Sequence, residues 1–370
     1  MVEDNPLKIV SHEIVWVDVP LPRPFVSGGG FRTSEMRHVV LRLRTDDGIE
    51  GLGWAFAHSH TMLPALGAAI DDVATMIQGM DPIMRNEIQG RIDRATQWTG
   101  GGLNKWVSAV INFALYDIAG KALNTPVYKI LGGLHTESVP TYASHKLWRD
   151  WSLDDLAMGA AEVKAEGFKM LKFRVGANNA ALDERERAKV VREAVGPDYP
   201  IAVDINEGWD IARTMEVAPY LEEFRVHWLE DPINRHDFAG YRHLVDALNI
   251  AITHGENLWD WRLFLDVVKN DAVDIAMIDT HHVGGIDGFL KAAAVCDAAF
   301  RPVVTHLSPE VAVHLGASVP NCTLVEYMDW SFGLFEDTSL INAEGRMIVP
   351  QEPGIGVTLN QELLKRGIKD

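Results

Sequence analysis

Polar and apolar residues alternate along two early stretches, KIVSHEIVWVDV from Lys8 to about Val19 and RHVVLRLRT from Arg37 onward. A period of two predicts half-buried strands. Between them, LPRPFVSGGGF carries Pro22, Pro24 and three glycines. It is too long and flexible for a hairpin turn, and a mobile flap is expected there. Gly28-Gly29-Gly30 lacks the helix and lysine of a phosphate cradle. Asp46-Asp47-Gly48 is a tight-turn signal before IEGLGWAFAH, so the opening reads as an antiparallel meander. From 62 to 133 the apolar spacing becomes i, i+3, i+4, as in LPALGAAIDDVATMIQGM and VSAVINFALYDIAGKAL, which predicts helices interrupted at Gly100-Gly101-Gly102.

The pattern changes again after Gly133. A strand near Tyr142 is followed by short apolar runs at 170–175, 201–205, 226–230, 250–254, 273–279, 302–306 and 322–328. Helical patterns separate most of them. Eight such units over about 200 residues predict a (β/α)₈-type barrel. The tail from Ser331 to Asp370 lacks this rhythm and is expected to return to the first domain. The expected division is 1–133, 134–330 and 331–370.

Composition narrows the function class. With 370 residues and 47% hydrophobic content the chain has enough apolar side chains for a large core. A net charge of −18 argues against nucleic acid or an anionic membrane as partner. An anionic small molecule would then need a local positive device, a metal or Lys/Arg. The two cysteines, Cys296 and Cys322, sit in apolar runs and are expected as free thiols. The start lacks the basic segment and apolar run of a signal peptide, and no 18-residue apolar stretch exists, so a cytoplasmic location is expected.

The chemistry concentrates at the ends of the apolar runs. Asp204, Glu230 and Glu256 follow one another at steps of 26 residues, each closing a run just before a turn. Functional groups of a parallel barrel sit at the carboxyl ends of its strands. Three hard oxygen donors on neighbouring strand ends suit Mg²⁺, which needs few protein ligands and room for water and substrate. The alternative is that each acid caps the following helix. Lys172 and Arg174, two apart on one strand, share a face; they stand close to a substrate carboxylate or form salt bridges to these acids. Asn206 shares a face with Asp204 and reaches the metal's water or a substrate hydroxyl, unless it is a plain turn residue. Asp279 and His306 end successive strands, 27 residues apart. An Asp bonded to one ring nitrogen fixes the tautomer and leaves the other as acid or base. His281 is a weaker candidate on the same face, and His254 is expected near the rim; His282 and His227 are expected to be uninvolved. Glu326, ending the last run, is expected as a protonated carboxyl that donates to an anionic oxygen. His58 and His60 are either contacts to substrate from above or surface histidines.

The ordered set Lys-x-Arg, Asp, Glu, Glu, Asp/His, Glu on successive strand ends resembles the enolase superfamily, in particular its mandelate racemase-like branch. NFALYDIAGKALNTPVYKILGG is similar to the segment that links that branch's capping domain to its barrel. The resemblance implies an α/β fold with a modified (β/α)₇β TIM-type barrel, and an α+β capping domain formed by the N-terminal region and the C-terminal tail. It implies Mg²⁺ held by Asp204, Glu230 and Glu256, the base dyad His306–Asp279, and Glu326 assisting the substrate carboxylate. A homo-oligomer is expected on the same ground. One position departs from the pattern: Arg174 stands where a second lysine usually serves as base. A guanidinium with pKa above about 12 is a poor base at neutral pH. A one-base reaction is therefore expected: His306 removes the α-proton of a sugar acid to give a metal-stabilised enediolate, and the β-hydroxyl leaves. The product of such an aldonate or aldarate dehydratase is a 2-keto-3-deoxy acid. The alternatives are a cycloisomerase or epimerase using the same enediolate, and a non-catalytic acid-sugar-binding protein.

Overall fold

Three antiparallel strands open the chain: β1 (Ile9–Val26), β2 (Arg32–Thr45) and β3 (Glu50–Ala57), in the order β1-β2-β3. A computed structural model describes residues 7–28, 30–57, 61–134, 136–176, 180–336 and 341–365. The β2–β3 connection is the tight turn expected at Asp46-Asp47-Gly48, with Gly48 at φ +79° and its N–H donating to the Thr45 carbonyl at 3.0 Å. The β1–β2 connection differs from expectation. The strand runs on through Pro20, Pro22 and Pro24 to Val26, with an irregular register between Pro20 and Phe25. Proline forfeits a ladder bond, which an edge strand tolerates, and β1 is an edge of this sheet. Only a short turn remains, closed by Ser27 N–H to the Phe31 carbonyl at 3.0 Å.

The helices α1 (Leu63–Met76), α2 (Arg85–Thr96) and α3 (Leu103–Ala122) pack on this sheet. The contact of α3 with β3 is very close. A Cβ on Gly53 would fall 1.9 Å from the Val110 carbonyl oxygen, and one on Gly51 2.3 Å from that of Ala114. Glycine at both positions lets the helix backbone lie directly on the strand. Asp117 of α3, fully buried, accepts from Leu52 N–H at 3.0 Å, from Lys121 at 2.6 Å and from Ile355 N–H at 3.0 Å. It thereby ties sheet, helix and tail together.

Eight parallel strands then close a barrel: β4 (Thr141–Ala143), β5 (Leu171–Arg174), β6 (Ile201–Asp204), β7 (Trp228–Glu230), β8 (Ala251–His254), β9 (Ile275–Asp279), β10 (Val303–His306) and β11 (Cys322–Tyr327). Each pairs with the next and β11 returns to β4. Each of the seven connections carries a helix, which gives the (β/α)₇β arrangement with an N-terminal sheet as cap. The strands are apolar on both faces because helices cover one side and the barrel interior the other. In the tail, Met347–Ile348 pairs antiparallel with Ser138–Val139, and Gly354 exchanges backbone bonds with Thr125 and Val127. Both cysteines are free, Cys296 buried and Cys322 half-buried. Among the described residues no helix is long and apolar enough to cross a membrane.

One buried acid lies behind the barrel mouth and was not signalled by any sequence pattern. Glu310 accepts from the Ser331 hydroxyl through Oε1, while Oε2 has no hydrogen-bond partner among the described residues. Burial pushes its carboxyl up to about 7 from an ordinary 4.5. The folded state thus holds this proton more tightly than the unfolded state. Its stabilising contribution is present below pH 4.5 and is lost as pH rises through about 7. Urea denaturation of the wild type should show roughly 3 kcal/mol of stability lost at this position between acid and mildly alkaline pH. Glu310→Gln should flatten that part of the profile; identical slopes in the two proteins would contradict it.

Candidate active site

The strand ends present their side chains because the backbone turns sharply just beyond them. Asn206 and Glu207 after β6, Asp231 after β7, and Leu307 and Ser308 after β10 all have φ between +40° and +58°. Left-handed backbone at non-glycine residues is costly and persists where the surroundings over-determine it. Asp204 and Glu230 stand opposite each other in register, as do Asp279 and His306. Glu256 does not end its strand: it lies two residues beyond His254, swung round by Gly255 at φ +129°. None of the three acids caps a helix; Asp210 and Asp237 do that, accepting from Arg213 N–H at 2.7 Å and Gly240 N–H at 2.9 Å.

Lys172 is the cation around which the acids gather. Fully buried, its ammonium bonds Glu230 Oε1, stands 2.9 Å from Glu326 Oε1 and 3.9 Å from Asp204 Oδ2. Burial alone would lower its pKa, yet Glu230, Glu326 and Asp204 raise it, so it stays charged. The acids are too many for it. Burial, with repulsion from the neighbouring carboxylates, holds Glu230 and Glu256 well above the usual range. Trp228 donates to Glu230 Oε2 at 3.0 Å. Glu256 Oε2 lies 3.2 Å from His306 Nε2 without forming a well-aligned hydrogen bond. As placed, no three His, Cys, Asp or Glu side chains among the described residues are grouped closely enough to hold a metal ion.

The dyad is formed. His306 Nδ1–H donates to Asp279 Oδ2 at 2.7 Å, and the other Asp279 oxygen accepts the backbone N–H groups of His281 and His282 at 2.7 and 3.1 Å. Burial opposes a charged ring, but the Asp279 bond and the field of Glu326 raise the His306 pKa above its ordinary value. Glu326 differs from expectation. Burial pushes it up, yet Lys172, His306 and the Leu307 N–H (2.7 Å) outweigh that and hold it down at about 2. It is ionised here, an acceptor rather than the expected proton donor.

Arg174 is committed elsewhere. Its terminal nitrogens donate to the Ser144 carbonyl (2.9 Å), the Lys146 carbonyl (3.2 Å) and the Ser144 hydroxyl (2.8 Å). Its plane lies 3.7 Å over Trp148, which stacks on Phe25 of β1 at 3.7 Å; Nε is 3.6 Å from Asp204. Asn206 lines the cavity, donates its N–H to Asp204 at 2.9 Å, and accepts from Arg149 through its side chain. A Cβ on Gly28 would lie 2.9 Å from Asn206 Cβ, so the β1–β2 turn rests directly on this strand end. His281 lines the cavity too, but both ring nitrogens are occupied, Nε2 by the Trp54 carbonyl (2.9 Å) and Nδ1 by the Ser308 hydroxyl (3.3 Å). It joins cap to barrel, which corrects the expectation of a substrate contact. His254, expected at the rim, is instead fully buried, 2.9 Å from Asp231 and stacked on Tyr241. His58 and His60 lie outside the described residues.

Asp204, Glu256, the dyad and Arg174 open into a cavity of about 560 Å³ roofed by Ser27, Gly28, Phe31, Phe56 and Trp106 of the cap, while Glu230, Glu326 and Lys172 lie buried beneath it. Trp148 lines it as well, while Trp98 is exposed. His282 also lines it, which its sequence position did not suggest.

The comparisons with known proteins agree with this geometry. Residues 155–363 match the family model described as enolase C-terminal domain-like. Residues 11–132 match the mandelate racemase / muconate lactonizing enzyme N-terminal domain. The chain belongs to the mandelate racemase/muconate lactonizing branch of the enolase superfamily. It is 30% identical over 334 residues to the L-talarate/galactarate dehydratase of Salmonella typhimurium, covering 89% of this chain and 82% of that one. It is 28% identical to the 3,6-anhydro-alpha-L-galactonate cycloisomerase of Streptomyces coelicolor (94% and 96% covered). It is 26% identical to the N-succinyl-L-Arg/Lys racemase of Bacillus cereus (97% of each). A solved structure of a mutant L-talarate/galactarate dehydratase, liganded with Mg and L-glucarate, superposes with a TM-score of 0.92 at 27% identity, covering 99% of this chain and 93% of that one. The enzymes of this branch that resemble the chain therefore include acid-sugar dehydratases, cycloisomerases and racemases.

Removing Lys172 leaves buried carboxylates without their counter-charge. In metal-free buffer Lys172→Gln should cost about 3–5 kcal/mol in urea denaturation. A loss below about 1 kcal/mol, the range of an exposed pair, would contradict the burial and pairing described.

Proposed function

We propose that this protein is a Mg²⁺-dependent dehydratase of a sugar acid, an aldonate or an aldarate. The observation that carries the reading is the asymmetry of bases: His306 is poised by Asp279 on one side, and the residue opposite the dyad, Arg174, is a guanidinium already spent on the loop after β4. The donor set fits the metal. Asp204, Glu230 and Glu256 are buried hard-oxygen ligands whose mutual repulsion a divalent cation would relieve, and Glu256 keeps an oxygen without a hydrogen bond. Bound by these three, Mg²⁺ would neutralise the charge that grows on the substrate carboxylate as its α-proton is lost.

The chain's own groups do the rest. His306 Nε2 takes the α-proton, while Asp279 holds Nδ1–H and steadies the imidazolium. Lys172, kept charged, adds a fixed positive group beside the developing negative charge and needs no reorganisation. The electron pair left on the α-carbon forms the carbon–carbon double bond as the β-hydroxyl departs. The imidazolium returns its proton to that oxygen, which leaves as water. The enol then tautomerises to a 2-keto-3-deoxy acid. Arg174 lends no second base, which disfavours two-sided racemisation.

The test is a panel of acid sugars with Mg²⁺ in D₂O, the keto product being trapped with semicarbazide. The wild type should release a keto acid from at least one aldonate or aldarate. His306→Asn should lose turnover by about 10³-fold or more and should not exchange the α-proton of that substrate. Exchange retained in His306→Asn would remove His306 from this role. Isomerisation with the formula conserved would favour the cycloisomerase or epimerase alternative, and metal-dependent binding without any turnover the non-catalytic one.

A further inference from the structure

His282 takes no part in the reaction above, yet its ring is held in one orientation at the cavity wall. The ring lies face to face with Trp259 at 3.8 Å, and Trp106 of the cap meets it nearly edge-on at 6.1 Å. Its Nδ1 stands 2.5 Å from the backbone carbonyl of Glu256. A carbonyl only accepts, so Nδ1 carries the hydrogen. In the neutral ring Nε2 is then left as an acceptor. The residue is half-buried, lines the cavity, and among the described residues has no hydrogen-bond partner for Nε2. A fixed acceptor beside the cavity-lining indole of Trp106 is an environment that suits a carbon chain bearing hydroxyls: the hydroxyl donates, and the C–H groups pack against the aromatic side chain.

We propose that His282 is a specificity-determining residue, its Nε2 accepting a hydrogen bond from one hydroxyl of the bound acid while Trp106 covers the adjoining carbons. The inference rests on the acid-sugar reading and narrows it. In the reaction proposed above His306 handles both the α-proton and the β-hydroxyl, so the hydroxyl that His282 reads belongs to a carbon further along the chain. The substrate class is thus an acid with a free hydroxyl at C4 or C5. A site built to receive a hydroxyl discriminates strongly against the analogue that lacks it, because the acceptor is then left unpaired.

Calorimetric titration in the presence of Mg²⁺ tests this with D-gluconate and galactarate and their 4-deoxy and 5-deoxy analogues, on the wild type and His282→Phe. Phenylalanine keeps a ring on Trp259 and removes the acceptor. Affinity of His282→Phe for the parent acid should fall about tenfold. One deoxy analogue should bind wild type and variant equally, the other should keep the tenfold gap. His282→Gln, which retains an acceptor oxygen, should fall less than His282→Phe. An equal fall for the parent and every analogue is the signature of a displaced pocket and would overturn the assignment, as would no fall at all. Wild-type protein that binds none of these acids would overturn the acid-sugar reading and this inference with it. Tight binding unchanged in both variants would overturn the inference alone.

Discussion

Three carboxylates at the barrel mouth, Asp204, Glu230 and Glu326, gather on one buried ammonium, Lys172, and a fourth, Glu256, is buried close by with its nearest cationic partner His306. Everything else about the site follows from that imbalance. Charges taken out of water must be compensated locally, and a set of like charges in a low-dielectric interior raises the cost of each. Protonation relieves part of it, which is the direction in which Glu230 and Glu256 are driven. A divalent cation relieves it without using protons, and the same positive charge then serves a substrate carboxylate. Structural economy alone would replace such a cluster with apolar side chains, which makes the turn-rich mouth the candidate site.

The scaffold around the cluster keeps each group in place through a second layer of contacts. Trp228 orients Glu230. Asp231 pairs with His254 and receives the Gly255 N–H at 3.4 Å and the Asn257 amide at 3.3 Å, which pins the turn that carries Glu256. Arg174, Trp148 and Phe25 form a column that joins the barrel mouth to the end of β1, while His281 bonds the Trp54 carbonyl of β3. The cap is therefore fastened to the barrel by the same strand ends that carry the chemistry. Arg174 serves both joints: its fork holds the loop after β4, and its stack on Trp148 holds the cap.

The barrel and the side chains that its strand ends bring together were legible in the sequence because each rests on a local signal. A short apolar run ending in Asp204, Glu230, Asp279 or His306 is a buried strand whose last residue emerges at a rim, and the repeat spacing orders the strands. What stayed hidden depends on contacts between distant segments. Glu256 is displaced two residues beyond its strand by Gly255, a backbone choice that an alternating pattern does not encode. The ionised state of Glu326 comes from Lys172 and the Leu307 N–H, and the occupation of both His281 nitrogens from Trp54 and Ser308. The prolines of β1 suggested a loop, because only the sheet order reveals that this strand is an edge. No local pattern signals that the His282 ring is held by Trp259 and the Glu256 carbonyl.

The measurement that bears most directly on the proposed metal site is the unfolding temperature of metal-free protein titrated with Mg²⁺. Binding to the folded state alone raises that temperature by mass action. A rise of several degrees that grows with the logarithm of the Mg²⁺ concentration, roughly what 2–3 kcal/mol gives a chain of this size, is predicted for the wild type, and its loss in Asp204→Asn. An unfolding temperature unmoved up to about 1,000 times a micromolar dissociation constant would contradict the account.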